Sequence, residues 1–344
     1  MDQALLIIPL SVLATALPTT AYVYVVWWLD RYEKEPLWLL AGAFLWGAVP
    51  AVVASLIAEL IAGVPSGLLG GSLASTIDSS LSAPIIEEVA KGLAVLLLFF
   101  AFHREFDDVL DGMVYGAMVG FGFAMTENVL YFLSAYFTGG PADWGAVVFL
   151  RSVVFGLNHA LYTSITGAGL GLARYYSTVA KRLVVPMLAL FLAISLHGIH
   201  NLFAQLNDAI CGAVLVSAVS DWSGILVMLL VAAAAWQKEK SWIAIELAEE
   251  VRYGTLTPAE YQVVQSPWRR TGARWDALNA NGVGTYRQVG LAYQLLTELA
   301  FKKRQARLMG DENGNYAEMQ RLRHQIAQIR SDAAGQVSPT ARRE

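Results

Sequence analysis

Apolar residues run through the first two-thirds of this chain in long blocks, without the alternation of a half-buried strand and with few charges inside them. A helix needs about 20 apolar residues to cross the hydrocarbon core of a bilayer. Seven stretches reach that length: 4–29, 36–62, 82–102, 109–137, 145–173, 183–206 and 212–236. The pattern predicts an all-α fold, a polytopic transmembrane helix bundle over residues 1–236. Pro9, Pro18, Pro50 and Pro186 fall inside or at the edges of these runs, where membrane helices tolerate proline because neighbouring groups re-satisfy the freed carbonyls.

Past residue 236 the pattern turns amphipathic and polar. Residues 238–252 read as an amphipathic helix, and Thr257-Pro258-Ala259-Glu260 is a capping box with proline at the first helical position, so a new helix opens there. Trp268, Trp275 and Leu278 mark a further short helix, and 285–308 and 315–330 mark two more, separated by the turn signals NANGVG and GDENGN. A small helical cytoplasmic tail is expected over 237–331, with 332–344 disordered. The basic run Lys302, Lys303, Arg304 reads as a solvated helix face.

Loop charges set an orientation. Loop 30–35 carries Arg31 and Lys34, loop 103–108 carries Arg104, and loop 174–182 carries Arg174, Lys181 and Arg182. The intervening loops 63–81, 138–144 and 207–211 hold no Lys or Arg and offer Asp78, Asp143 and Asp208. The positive-inside rule then puts the N-terminus outside and the C-terminus in the cytoplasm, which an odd number of spans also requires. The N-terminus has no basic residue before its apolar run, so that run reads as a retained helix and not a signal peptide. The Gly/Ser-rich loop 63–81 is half apolar and reads as a re-entrant or interfacial segment on the outer side.

Composition narrows the class further. Hydrophobic residues make up 56% of the 344 and charged residues 15%, against about 25% charged in ordinary soluble domains. The net charge of −4 says nothing about nucleic acid, and no basic stripe points to a nucleic-acid partner. Cys211 is the only cysteine, which excludes an internal disulfide framework and a multi-cysteine zinc site.

Against so apolar a background, ionisable residues inside the runs point to function, because each is costly at membrane depth. Glu87, Glu88 and Lys91 share one helical turn in PIIEEVAKG, and Glu127, His159 and His197 follow on later runs. Counting 1.5 Å per residue places these four helices' groups within about 15 Å of the outer surface, as a shared site requires. Pro84 suits the first turn of a helix and sets Glu87 near the positive end of its dipole. One lysine fully matches one carboxylate, so the other needs a proton, Arg151, a metal or a histidine. Asn128 adjoins Glu127, Thr163 lies four residues after His159, Asn201 four after His197, and His200 is a partner or alternative to His197. Gly116 and Gly120 stand in GxxxG register, which lets a neighbouring helix approach closely.

In order along the chain, EEVAK (Glu87, Glu88, Lys91), DGMVYGAMVGFGFAMTEN (Asp111 to Asn128), HALYT (His159 to Thr163) and HGIHN (His197 to Asn201) resemble the motifs of the PrsW family of intramembrane proteases, within the wider superfamily of CAAX-processing and Abi/CPBP proteins. The match covers about residues 20–236 and leaves the tail outside. The wider superfamily usually writes its second motif FxxxH, whereas here Phe123 is followed by Glu127, which points to the PrsW branch. The resemblance implies a multi-pass protein of the bacterial inner membrane that cuts a membrane-anchored substrate near its outer-leaflet end, of the kind represented by anti-sigma factors.

Under that resemblance Glu87 is the general base for water, Glu88 is anchored by Lys91, and Glu127 and His159 position water and move protons. His197 and Asn201 hydrogen-bond the developing oxyanion, with Asn128, Arg151, Thr163 and His200 in support. This scheme requires no cofactor. A metal-dependent version uses Glu127, His159 and His197 as zinc ligands with an open position for water. A proton-coupled transporter or a non-catalytic scaffold is the competing class, but no internal repeat is visible and the ionisable groups cluster toward one leaflet. The expected partners are a membrane-protein substrate, the lipid bilayer, and a protein partner or second copy for the tail.

Overall fold

In lipid a backbone must satisfy its own polar groups, and runs without strand alternation do so as helices. The computed structural model describes residues 2–32, 34–66, 71–103, 105–176, 178–207, 209–311 and 314–336, and no strand occurs among them. The loop residues Arg104 and Asp208 and the segment 337–344 lie outside the described residues, as do 67–70 of the expected re-entrant loop. The chain divides into two compact units, residues 1–30 with 35–232, and residues 31–34 with 233–344.

The first unit contains α1 (Asp2–Leu29), α2 (Leu37–Trp46), α3 (Val52–Ser66), α4 (Gly71–Ile77), α5 (Ala83–Ala101), α6 (Val109–Phe149), α7 (Asn158–Ala173), α8 (Val179–Leu206) and the first part of α9 (Val214–Arg252). Pro50 sits within a π-helical turn, Gly47–Ala51, that joins α2 to α3, consistent with a residue that has no N–H to give the ladder. Two further π turns, Asp78–Ser82 and Leu150–Val154, precede α5 and α7. The segment expected as loop 63–81 is therefore helical where described, in the end of α3, α4 and the π turn after it.

Helix α6 opens on a capping box between Asp108 and Asp111 and packs against α1, α2, α5 and α7. Its glycine stripe faces α7. A Cβ on Gly116 would lie 2.4 Å from the carbonyl oxygen of Thr163, and one on Gly120 2.3 Å from that of His159. Only glycine permits this approach, which is the close packing expected of the GxxxG register. At Gly140, with φ of 82°, the helical run breaks, where the sequence places the loop between its fourth and fifth spans.

Polarity is inverted relative to a water-soluble protein. Leu183, Met187 and Phe191 of α8 and Leu226, Val227 and Leu230 of α9 are exposed, while Ser11, Thr15, Ser55, Glu88 and Lys91 are buried. Among the described residues five segments are long and apolar enough to cross a bilayer: Leu5–Leu29, Leu37–Ile61, Val109–Ala173, Val179–Leu206 and Val214–Arg252. The seven runs of the sequence map onto these with two differences. Two runs fall inside Val109–Ala173, on either side of Gly140. The run 82–102 is α5, whose hydropathy is interrupted by Glu87, Glu88 and Lys91.

The second unit is built from the rest of α9, α10 (Pro258–Val264), α11 (Pro267–Met309) and α12 (Asn315–Gln336). Thr257 and Glu260 form the expected capping box, and Gly282, with φ of 82°, breaks α11 within the NANGVG signal. Helix α12 continues to Gln336, past the expected end at 331. Arg270 donates to the carbonyls of Arg31 (2.8 Å) and Tyr32 (3.3 Å), which ties 31–34 into this unit. The basic run is not a solvated face: Lys302 and Lys303 are buried, and Lys303 donates to Glu250 at 2.9 Å. Arg323 closes on the same carboxylate at 2.6 Å. Leu295 and Leu299 fill the core from the same face of α11, three to eight residues earlier, and so carry the lysines inward with them.

Candidate active site

Helix α5, with Pro84 in its first turn, delivers Glu87, Glu88 and Lys91 to the interior of the first unit. Lys91 has no exposed surface. Its ammonium donates to Glu88 and to His159 Nδ1 at 3.1 Å, and lies 4.4 Å from the centre of the Phe123 ring. Glu87 Oε2 is farther off, at 3.7 Å. The lysine therefore hydrogen-bonds the i,i+3 carboxylate and keeps only a looser ion pair with the i,i+4 one.

A second ion pair faces the first. Glu127 on α6 accepts from Arg151 Nη2 at 2.6 Å and from His159 Nε2 at 2.8 Å, and Arg151 Nε donates to Asn128 Oδ1 at 2.7 Å. Arg151 comes from the π turn before α7, and its guanidinium lies 3.8 Å from the centre of the Tyr131 ring. With Lys91 donating to Nδ1, His159 carries its proton on Nε2, because an ammonium can only donate and an ionised carboxylate only accepts. His197 on α8 is held the other way. Its Nδ1 lies 3.0 Å from Glu88 Oε1, which leaves Nε2 bare and 3.9 Å from Glu87 Oε2. Tyr162 stacks on the His197 ring with centroids 4.9 Å apart, and Thr163 donates to Glu88 at 3.4 Å.

Glu87, Glu127, Asn128, His159, Tyr162 and His197 line a cavity of about 600 Å³, together with Arg151 and His200. Glu87 Oε2 is buried there and makes no hydrogen bond. A carboxylate oxygen in that position can accept a proton from water or ligate a cation. The ligand atoms of Glu87, His159 and His197 all lie within 4.8 Å of one another. Two imidazoles and a carboxylate are a normal catalytic zinc set. Glu87 and His197 already present bare atoms, and His197 is backed by Glu88 in the carboxylate–histidine arrangement that orients metal ligands. His159 would exchange one of its two bonds. The residues fit a metal in chemistry, with Glu87 in the set where the sequence suggested Glu127.

The structure thus gathers Glu87, Glu88, Lys91, Glu127, Asn128, Arg151, His159, Thr163 and His197. Asn201 stands at the cavity wall, with its amide donating to the carbonyl of Ser79 at 2.8 Å, so this donor is committed to backbone. His200 does not join His197. It turns to Asp221 on α9, with Nδ1 to Oδ2 at 2.7 Å. Asp221 was missed in the sequence, although a carboxylate inside the run 212–236 is the same signal that marked Glu127. Tyr162 and Asn158 were missed as well, and a tyrosine or asparagine in such a run carries no comparable signal.

Comparison with known proteins assigns the family. The pattern of the PrsW family, described as intramembrane metalloproteases, matches residues 35–235. A protein named Protease PrsW from Oceanobacillus iheyensis is 31% identical over 189 residues, covering 55% of this chain and 79% of the relative. Its namesake from Geobacillus kaustophilus is 31% identical over 173 residues, covering 50% and 69%. The one from Bacillus subtilis is 30% identical over 173 residues, covering 48% and 63%. No solved structure gives a significant match. The family match spans the helices that build the cavity, and the chain belongs to the PrsW family: it is a bacterial intramembrane peptidase.

Proposed function

We propose that the cavity is the proteolytic centre and that Glu87 activates the attacking water. The observation that carries this reading is the buried Glu87 Oε2, which makes no hydrogen bond and faces the cavity. The two cations nearby give their hydrogen bonds to other carboxylates, Lys91 to Glu88 and Arg151 to Glu127, with Lys91 in only a loose ion pair with Glu87 at 3.7 Å. Glu87 is therefore the carboxylate left to take a proton from water. His197 Nε2, bare beside it, accepts from the same water, while Glu127 holds His159 for proton transfer. Arg151 is the cation that lines the cavity and faces the charge developing on the carbonyl oxygen. His197, with its proton given to Glu88, serves as an acceptor in place of the oxyanion donor expected from sequence.

A second reading has its own support in the clustering of Glu87, His159 and His197. A zinc-type ion held by these three residues supplies a water of lowered pKa and a Lewis acid for the carbonyl. In either reading Glu88 and Lys91 form the fixed floor of the site. The loop charges support an outside N-terminus and, with the span counts, a centre toward the outer leaflet, and kinship with bacterial PrsW proteins supports residence in the inner membrane. The substrate is then a membrane-anchored protein cut near its outer-leaflet end. Residues 237–331 form a cytoplasmic helical tail that binds a partner or a second copy.

The test is a cleavage assay on purified enzyme with Glu87→Gln and His197→Ala, run beside elemental analysis. Loss of cleavage in both variants without metal supports the glutamate-activated water. Stoichiometric zinc that disappears in His197→Ala supports the metal reading. Wild-type cleavage by Glu87→Gln would place the centre elsewhere.

A further inference from the structure

Asp221 is a buried carboxylate, 1% exposed, on the last apolar span, and the scheme above gives it no task. Its two oxygens are each taken by a residue of the cavity wall. Tyr162 donates its hydroxyl to Oδ1 at 2.7 Å, and His200 Nδ1 lies 2.7 Å from Oδ2. Neither ring is free to turn. Tyr162, fully buried, stacks on His197 with an interplanar angle of 18°. His200 stands edge-on to Phe155, with centroids 4.8 Å apart. Ser217 of α9 also donates to the His200 carbonyl at 2.8 Å, which fixes the two helices at this level.

We propose that Asp221 is a positioning residue for proteolysis, its carboxylate fixing the His200 tautomer and the Tyr162 ring that packs on His197. A carboxylate accepts, so His200 carries its proton on Nδ1 and turns Nε2 away from Asp221 as an acceptor. The Asn158 amide nitrogen lies 3.4 Å from that Nε2 and 3.2 Å from Nδ1, and Asn158 Oδ1 is buried without a hydrogen bond. With Nδ1 protonated toward Asp221, Nε2 is the ring atom that can accept from the Asn158 amide, so Asn158 on α7 holds the same tautomer from the other side. Helix α9 thus braces α7 and α8 behind His197. The inference rests on the cavity being the active site.

Asp221→Asn tests it, because the near-isosteric amide presents N–H to His200 and inverts its tautomer, while its oxygen still accepts from Tyr162. The expected result is a kcat lower by about 10- to 100-fold, as for supporting partners of catalytic histidines, with KM little changed. Nitrogen-15 imidazole spectra, assigned with His200→Gln, should show the His200 proton moved to Nε2, and Asp221→Glu should recover part of kcat. Wild-type kcat in Asp221→Asn, or an unchanged His200 tautomer, overturns the proposal. If Asp221→Asn does not fold, Tyr162→Phe and His200→Gln carry the test: lowered kcat in both supports it, and wild-type kcat in either overturns it. Glu87→Gln serves as control. Were it active, the location of the active site would fail; were it inactive beside a fully active Asp221→Asn, this inference alone would fail.

Discussion

Glu35 shows how one side chain couples stability to pH at the edge of the first unit. It is buried, its backbone N–H donates to Asp30 at 3.2 Å, and Tyr115 donates to its carboxylate. Burial, followed by the nearby Asp111 and Asp30 charges, pushes its pKa well above the ordinary carboxylate range. The folded state then holds a proton that the unfolded state has released. This contribution is fully present below the unfolded value of about 4.3 and is lost as pH rises through the raised folded value. The thermal midpoint in detergent is expected to fall over that interval, and Glu35→Gln should remove this part of the slope. An unchanged slope in the variant would mean that other groups set it. In the sequence Glu35 looks like a loop charge, because burial depends on Tyr115 from a distant helix. Glu87, Glu88, Lys91, Glu127, His159 and His197 were legible because bilayer physics leaves no bland place for charge in an apolar run. The Lys91–Glu88 pair was expected under the resemblance; what the sequence could not give was that Arg151 pairs with Glu127 and not with Glu87.

Among the elements, the α6–α7 contact sets the precision of the site, since His159 and Thr163 sit where Gly120 and Gly116 let α7 approach. Gly116→Val would drive a side chain into the Thr163 carbonyl, with an expected cost of about 1–3 kcal/mol for overpacking. Cleavage should fall further than stability, because His159 and Thr163 move with the helix. Comparison of kcat with the thermal midpoint checks this, and equal losses in both would argue against a positioning role for the contact. Helix ends and breaks were largely readable: the Thr257 cap, the turn at Gly140 and the turn at Gly282 each follow from local residue chemistry. The π turns were not. Asp78–Ser82 reads as part of the Ser-rich loop and Leu150–Val154 as part of a continuous run, and they matter because the first turns the Ser79 carbonyl toward Asn201 and the second carries Arg151.

Taken whole, the molecule uses two opposite polarity schemes. The first unit places apolar side chains outside and its ionisable groups inside, and the second is closed by a conventional apolar core with a charged cluster beside it. In that cluster Glu250 accepts from Lys303, Arg323 and Thr255. Removing one member of a buried ion pair leaves its partners uncompensated, at about 3–5 kcal/mol. Glu250→Ala is therefore expected to expose residues 233–336 to limited proteolysis while the first unit stays resistant; wild-type resistance throughout would show the cluster to be dispensable. The change from membrane to tail was visible in composition. The inward turn of Lys302 and Lys303 was not, because it depends on which face of α11 carries the leucines.

The cavity's volume of about 600 Å³ also sets a gauge for what enters it. One turn of helix, roughly 10 Å across and 5.4 Å long, fills on the order of 400 Å³. With the cavity as the proposed proteolytic centre, a chamber of this size holds little more than one turn, and a spanning helix is expected to come apart locally before a peptide bond reaches Glu87. The ease of fraying then ranks substrates ahead of side-chain identity. In a series of otherwise identical membrane segments, a proline or glycine placed a few residues from the cut should raise the cleavage rate, and a leucine there should lower it. Rates indifferent to that change would mean that the chamber opens much wider than its resting shape.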